Sequence, residues 1–232
     1  MGHTRDMYDF TRKTYKVLFN RHLINLLRVH HIDTVLDVGA NRGQFGSLLR
    51  KLGFKGTILS FEPLADTFNL LEERSRHDAN WHAYNFALGD TQGSLALNVL
   101  HGRGLSSFLE PNAYCRNFLQ KKSSIDESLS VSVKTLDSVF ADLPCDDTSR
   151  IHLKMDTQGY DLKVFAGARE TLQAVQTMQA ELSIHALYEG MPNYLTALTA
   201  YAEAGFSPSG WFPILRDQDS LIECDVLMTR NP

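Results

Sequence analysis

Residues 34–45, TVLDVGANRGQF, constrain this chain more than any other stretch. Thr34, Val35, Leu36 and Val38 make a short apolar run suited to a buried strand, with Asp37 near its end. Gly39 and Gly43 then punctuate a turn, and a helical pattern follows. Glycine has no Cβ, so such a turn lets backbone N–H groups come close to a ligand. About 20 residues further on, ILSFEP ends a second apolar run at Glu62 and Pro63, and an acidic side chain at that point accepts hydrogen bonds from ribose hydroxyls. Strand, glycine turn, helix and acidic strand end together predict an α/β domain that holds a nucleoside-containing cofactor.

The spacing of the turn narrows the choice of cofactor. A dinucleotide site needs G-x-G-x-x-G, and counted from Gly39 its second and third glycine places hold Asn41 and Gln44. The phosphate loop G-x-x-x-x-G-K-[ST] is absent too, because no Lys-Ser or Lys-Thr follows Gly43. What remains is D-x-G-x-N-x-G. S-adenosylmethionine offers an ammonium group, a sulfonium and a ribose but no phosphate. That suits one carboxylate at Asp37 and another at Glu62. A D-x-G-x-x-x-G turn alone is common in α/β domains; Glu62 gives it weight.

Upstream of the turn, Tyr15, Leu18, Phe19, Leu23, Leu26 and Leu27 recur at helical spacing. Residues 1–33 therefore read as a helical extension that covers the sheet or meets a second subunit. From Thr34 onward, strand patterns at 34–38, 57–62, 81–87, 150–155 and 177–184 alternate with helix patterns at 43–52, 64–76, 159–175 and 191–204. Such alternation predicts a parallel sheet with helices on both faces. Apolar runs near 208–215 and 223–229 close the chain as a hairpin. Residues 89–133 break the rhythm, with Gly89, Gly93, Gly102, Gly104 and many serines. They read as short edge strands and a loop-rich insert over the ligand site, with Ser123–Ser130 partly mobile; long loops of this kind are usually functional or mobile. No repeat or linker divides the chain, so 1–232 reads as a single domain.

The net charge of −4 and the scattered lysines and arginines give no basic surface for nucleic acid or an anionic membrane. Cys115, Cys145 and Cys224 are far apart, odd in number and form no C-x-x-C pair. That points away from a zinc site and toward a reducing compartment. Met1–Phe10 lacks an apolar signal segment, and no run reaches the ~20 apolar residues of a membrane span. The expectation is a cytoplasmic protein with no nucleic-acid partner and no membrane span.

The fourth strand pattern runs IHLKMDTQGYD, Ile151 to Asp161, and puts Asp156 at its carboxyl end. Ligands of open α/β sheets lie outside the carboxyl ends of the strands, so Asp37, Glu62 and Asp156 share one edge. Asp156 suits a ligand contact or an N-cap on the following helix equally well. With DVGANRGQF, FEP, ALGD, LSSF, VKTLDSV and LKMDTQGYDLKVFAGA in this order between Val35 and Phe206, the chain resembles the FkbM-type S-adenosylmethionine-dependent methyltransferases. The resemblance implies the class I methyltransferase fold. That is a Rossmann-like, seven-stranded, mostly parallel sheet with helices on both faces and the last strand antiparallel. It also implies an O-methyltransferase acting on a hydroxyl of a sugar or glycosylated acceptor. A polyketide or other small-molecule hydroxyl is the alternative acceptor. The family usually has Asp-x-Glu-Gly where this chain has Asp156-Thr157-Gln158-Gly159. The amide of Gln158 keeps the shape of Glu but cannot act as a base, so a non-catalytic cofactor-binding homologue is a further reading.

By resemblance, Asp37, Gly39, Asn41 and Gly43 surround the methionine part of the cofactor. Glu62 takes the ribose, Pro63 lies toward the adenine, and Asn85, Phe86, Ala87 and Leu88 flank it. A hydroxyl is a poor nucleophile at neutral pH, and a general base helps by roughly 10²–10⁴-fold. The candidate bases are Asp156, near the expected methyl position, and His185, just beyond the fifth strand in AELSIHALYEG. Histidine titrates at about 6.5 and suits proton transfer. Glu181, in the same stretch, is a third candidate. Ser106 and Ser107, with His101, sit in the insert, where they could hydrogen-bond the acceptor or the cofactor carboxylate; ordinary turn chemistry also explains them. Trp211 and Tyr188 are candidates to stack on a sugar ring. Asp156 could also help hold a divalent cation such as Mg²⁺, although no compact ligand set is visible. The expected partners are a small-molecule or glycan acceptor and, through the N-terminal helix, a second copy in a homodimer.

Overall fold

Every residue from Thr34 to Val38 is buried, as a strand covered on both faces must be. The computed structural model describes residues 2–146 and 148–231, with side chains of the first helix described from Thr14 onward. In chain order the strands are β1 (Thr34–Val38), β2 (Thr57–Phe61), β3 (Trp81–Tyr84), β4 (Ala87–Leu88), β5 (Gly93–Leu100), β6 (Ile125–Lys134), β7 (Ile151–Met155), β8 (Val175–Ser183), β9 (Phe206–Asp217) and β10 (Ser220–Arg230). The helices are α1 (Gly2–Val29), α2 (Gln44–Lys51), α3 (Ala65–Ser75), α4 (Ala113–Leu119), α5 (Leu136–Val139), α6 (Asp161–Ala166) and α7 (Tyr194–Glu203).

The main sheet has the order β3-β2-β1-β7-β8-β10-β9. β1 pairs in parallel with β2 and β7, whereas β10 runs antiparallel to both of its neighbours. Alternate residues feed two cores. Val35 and Ile58 pack with Leu23, Leu26, Leu49 and Leu71 from α1, α2 and α3. Leu36, Leu59 and Leu153 pack on the other face with Leu136, Val164 and Tyr201 from α5, α6 and α7. α1 is seated on the closing hairpin by an edge-to-face pair, Phe19 on Phe212, with ring centroids 5.3 Å apart. The strand order reverses between the parallel neighbours β1 and β7, which is where an open α/β sheet opens a crevice for ligands.

The insert differs from its expected form. β5 and β6 pair antiparallel, and with β4 they make a second, three-stranded sheet, β4-β6-β5. Ser128, Ser130 and Ser132 alternate with Leu129, Val131 and Val133, a period of two that builds a two-faced strand whatever the serine content. Most of the stretch expected to be mobile, Ser123–Ser130, is therefore strand. Leu97, Val99 and Val131 on its apolar face pack with Leu64 and Phe108.

Two further boundaries move. The third strand stops at Tyr84, and Ala87–Leu88 joins the second sheet instead. The helix expected over 159–175 shrinks to Asp161–Ala166. Gly167 passes the Gly89 carbonyl so closely that a Cβ there would lie 1.9 Å from its oxygen. Just beyond it, the Asp137 carboxylate accepts from the N–H groups of Glu170 and Thr171 at 3.1 and 2.8 Å, holding the chain off the helical path. The closing hairpin is longer than expected, and Pro208 and Pro213 are tolerated because β9 is the edge of the sheet.

Candidate active site

The turn after β1 is held by its neighbours. Gly39 has φ +74, and a Cβ there would fall 2.0 Å from the backbone oxygen of Asp156. The ends of β1 and β7 thus touch, and only glycine permits it. The turn's N–H groups are spent inside the protein. Those of Gly39 and Ala40 donate to the Phe61 carbonyl at 3.1 and 3.0 Å, and that of Gly43 donates to Ala40. The N–H of Asn41 donates to Glu62 Oε2 at 2.9 Å. The glycine turn therefore offers a ligand close approach rather than the free N–H donors expected of it. That is a poor phosphate site and suits a cofactor without phosphate.

Glu62 is fixed at both oxygens, since Leu64 N–H donates to Oε1 at 3.0 Å. Each oxygen keeps a further acceptor direction, which fits the two hydroxyls of a ribose. Burial pushes the Glu62 pKa up to about 7, against the pull of those two N–H groups. The Asn85 amide donates to the Glu62 and Pro63 carbonyls at 2.9 and 3.1 Å, so Asn85 braces the strand end.

Asp37 meets an ammonium group, but one from its own chain. The register of β1 on β7 sets it opposite Lys154, whose Nζ lies 3.0 Å from Asp37 Oδ1 and 3.5 Å from Asp156 Oδ2. Asp37 is fully buried, lines neither cavity described below, and supports the turn from beneath through Lys154. Burial opposes the Lys154 charge, but Asp37 and Asp156 outweigh it and hold its pKa above the ordinary lysine value. Burial likewise works to raise Asp156, and the Lys154 ammonium overrides it, leaving this carboxyl below its usual range.

Beside them lies an acidic group that the sequence reading only partly singled out. Gln158 Nε2 donates to Asp156 Oδ1 and to Glu181 Oε2, each at 3.2 Å. Tyr188 OH lies 3.0 Å from Gln158 Oε1 and 2.7 Å from the Leu105 carbonyl. Tyr188 is thus a buried brace rather than a sugar platform, while Trp211 stands 44% exposed on β9. Burial, then repulsion from Glu223 and Asp156, raises Glu181 well above the ordinary carboxyl range. Asp225 is pushed to about 7, again chiefly by burial. Lys154, Gln179, Glu223 and Asp225 went unnoticed, although a lysine inside IHLKM and two acids inside IECDVLM are visible breaks in buried strands.

Two cavities meet at Gly39, Asn41 and Asp156. One, of about 90 Å³, lies under the second sheet; Glu62, Pro63, Ala87, Leu88, Leu97 and Phe108 are among its walls, and Ser106 is at its edge. The other, of about 360 Å³, lies between the main sheet and helices α1 and α2, and includes Glu181. Gly43 and Asn85 support these walls without lining them. Ser107 is buried, donating to the Gln158 carbonyl at 2.7 Å and accepting from Leu109 N–H at 3.1 Å, so its hydroxyl ties the insert to the β7 loop. Ser106 is also committed, to the Arg103 carbonyl at 2.9 Å and Leu100 N–H at 3.2 Å. His101 sits 3.3 Å from Asp126 on the exposed surface. His185 is exposed against the Tyr114 ring, with centroids 5.9 Å apart, and lines neither cavity.

A divalent cation does not fit here. Asp156 already receives an ammonium and an amide N–H, and among the described residues no group of three His, Cys, Asp or Glu is arranged to hold a metal ion. Nor is any described helix long and apolar enough to cross a membrane.

A seven-stranded sheet with one antiparallel strand, an acidic end to β2 and a glycine turn at the switch point define the class I S-adenosylmethionine-dependent methyltransferase fold. Residues 37–208 match the model of the methyltransferase FkbM domain, and the chain belongs to that family. Among curated proteins it is similar to the 2-O-methyltransferase NoeI of Sinorhizobium fredii, 25% identical over 192 residues that cover 80% of this chain and 78% of that one. Among solved structures, WbdD superposes with a TM-score of 0.52 at 12% identity, over 95% of this chain and 40% of that chain. Aeropyrum pernix fibrillarin with natively bound S-adenosyl-L-methionine gives 0.48 at 11% identity, over 85% and 66%. This chain thus spans less than two thirds of either solved protein, and at 12% identity the likeness to WbdD is one of fold.

Proposed function

We propose that this chain transfers the methyl group of S-adenosylmethionine to a hydroxyl of a sugar or glycosylated acceptor. The observation that carries the reading is Glu62, anchored by two backbone N–H groups and facing a cleft that ends at Asp156. Glu62 would take the ribose, and Ala87, Leu88, Leu97 and Phe108 supply apolar walls for a purine. When bound, the cofactor supplies an activated methyl carbon together with its leaving group.

Asp156 is the residue proposed to handle the acceptor. Its side chain is 41% exposed at the junction of the two cavities. Held ionised by Lys154, it can accept a hydrogen bond from the acceptor hydroxyl and so aim an oxygen lone pair at the methyl carbon. A hydroxyl becomes strongly acidic as its oxygen gains a third bond, to the methyl carbon, so even a weak base such as Asp156 suffices to take the proton. The sugar is favoured by the family resemblance, and the name of NoeI, a 2-O-methyltransferase, supports a hydroxyl.

The test is transfer of a labelled methyl group to a panel of mono- and oligosaccharides beside non-sugar hydroxyl compounds. Transfer to a sugar is expected, with Asp156→Asn lowering kcat by roughly 10²–10⁴-fold. Transfer only to a non-sugar hydroxyl would replace the acceptor class. Cofactor binding with no transfer to any acceptor would favour a non-catalytic homologue.

A further inference from the structure

The larger cavity is polarised. On the helix side it has Lys16 of α1 with Gln44 and Phe45 at the start of α2. No side chain caps that start, so it adds partial positive charge of its own. None of the ion pairs among the described residues engages Lys16. On the sheet side the cavity has Asp156, Gln179, Glu181 and Asp225, with Lys154 neutralised by Asp37 and Asp156. Gln179 is only 4% exposed, and its Oε1 has no hydrogen-bond partner although its Nε2 is held by Asp225 at 2.9 Å. A buried acceptor without a donor is costly and calls for one from a ligand or water.

A cation on one wall and acceptors on the other match an α-amino acid zwitterion. Resting on the cofactor reading above, we propose that this cavity takes the amino acid end of the cofactor, with Lys16 as the counter-ion of its α-carboxylate. The α-ammonium then faces the acceptor wall of Asp156, Gln179 and Asp225. The nucleoside end lies beyond Gly39 and Asn41, in the cleft beside Glu62, since those two residues line both cavities. Lys16 falls outside the residues 37–208 matched by the family model, so α1 becomes part of the binding site as well as a cover for the sheet.

Two ligands separate the ends. S-adenosylhomocysteine carries the amino acid, and 5′-methylthioadenosine carries the same nucleoside and sulfur without it. Both are titrated calorimetrically into the full chain and into Lys16→Met, which keeps the alkyl stem at an exposed position. The expected result is a loss of roughly tenfold for S-adenosylhomocysteine, the scale of one charge-assisted hydrogen bond, no change for 5′-methylthioadenosine, and recovery in Lys16→Arg. Equal losses for both ligands, or no loss for either, overturn the assignment of Lys16 while leaving the cofactor reading intact. If the wild-type chain binds neither ligand, the cofactor reading falls and this inference with it.

Discussion

Glu62 is the residue on which binding and pH meet. Its pKa in the folded protein is about 7, against an ordinary 4.5. A raised carboxyl binds its proton more tightly in the folded state, so its contribution to stability is complete below about pH 4.5 and is lost as pH rises through 7. Ribose hydroxyls donate to the charged form, so cofactor affinity moves the other way and grows as pH rises through 7. Calorimetry with S-adenosylhomocysteine at pH 6 and pH 8 checks this: tighter binding at pH 8, with proton release at pH 6, is expected. Affinity independent of pH would mean that Glu62 does not contact the ligand. Gln158 makes the second residue-scale case. Its amide donates to two carboxylates, Asp156 and Glu181, and a third carboxyl there would repel both. Gln158→Glu should cost about 1–3 kcal/mol of stability at neutral pH. Urea denaturation should show the deficit shrinking as pH falls and the new carboxyl takes up a proton.

Among the elements, those with a clear period were legible. β1 and β2 follow from short apolar runs bounded by glycine and proline, and α1 from leucines at helical spacing. The α1 assignment carries a packing prediction. Leu23 is fully buried between α1 and the sheet, so Leu23→Ala should cost about 2–5 kcal/mol in urea denaturation. A loss under 1 kcal/mol would mean that α1 is only loosely seated. The β5–β6 ribbon was masked by its serine-rich composition, although the alternation of Ser128–Val133 carries the stronger signal. The short α6 was hidden for another reason. It ends where Gly167 meets Gly89 and Asp137 captures two N–H groups, and neither contact leaves a trace in the local sequence. Glu62 and Asp156 could be placed from strand ends alone. The partner of Asp37 could not, because pairing Asp37 with Lys154 requires the β1–β7 register.

In the whole molecule, two sheets share the work. The main sheet brings Gly39 and Asp156 together at its switch point, and the second sheet lays Leu97 over the cleft while Phe108 closes in beside it. α1 and α2 wall the larger cavity from the opposite side. A ligand that spans Gly39 and Asn41 therefore touches both cavities and ends near the one half-exposed carboxylate at their junction. The measurement that tests this arrangement most directly is calorimetric titration of S-adenosylhomocysteine into the wild-type chain and Glu62→Ala. Binding by the wild type and a loss of roughly 10²-fold in the variant, with its fold intact by circular dichroism, is the expected result. Equal affinity in the two proteins would contradict the placement of the cofactor beside Glu62.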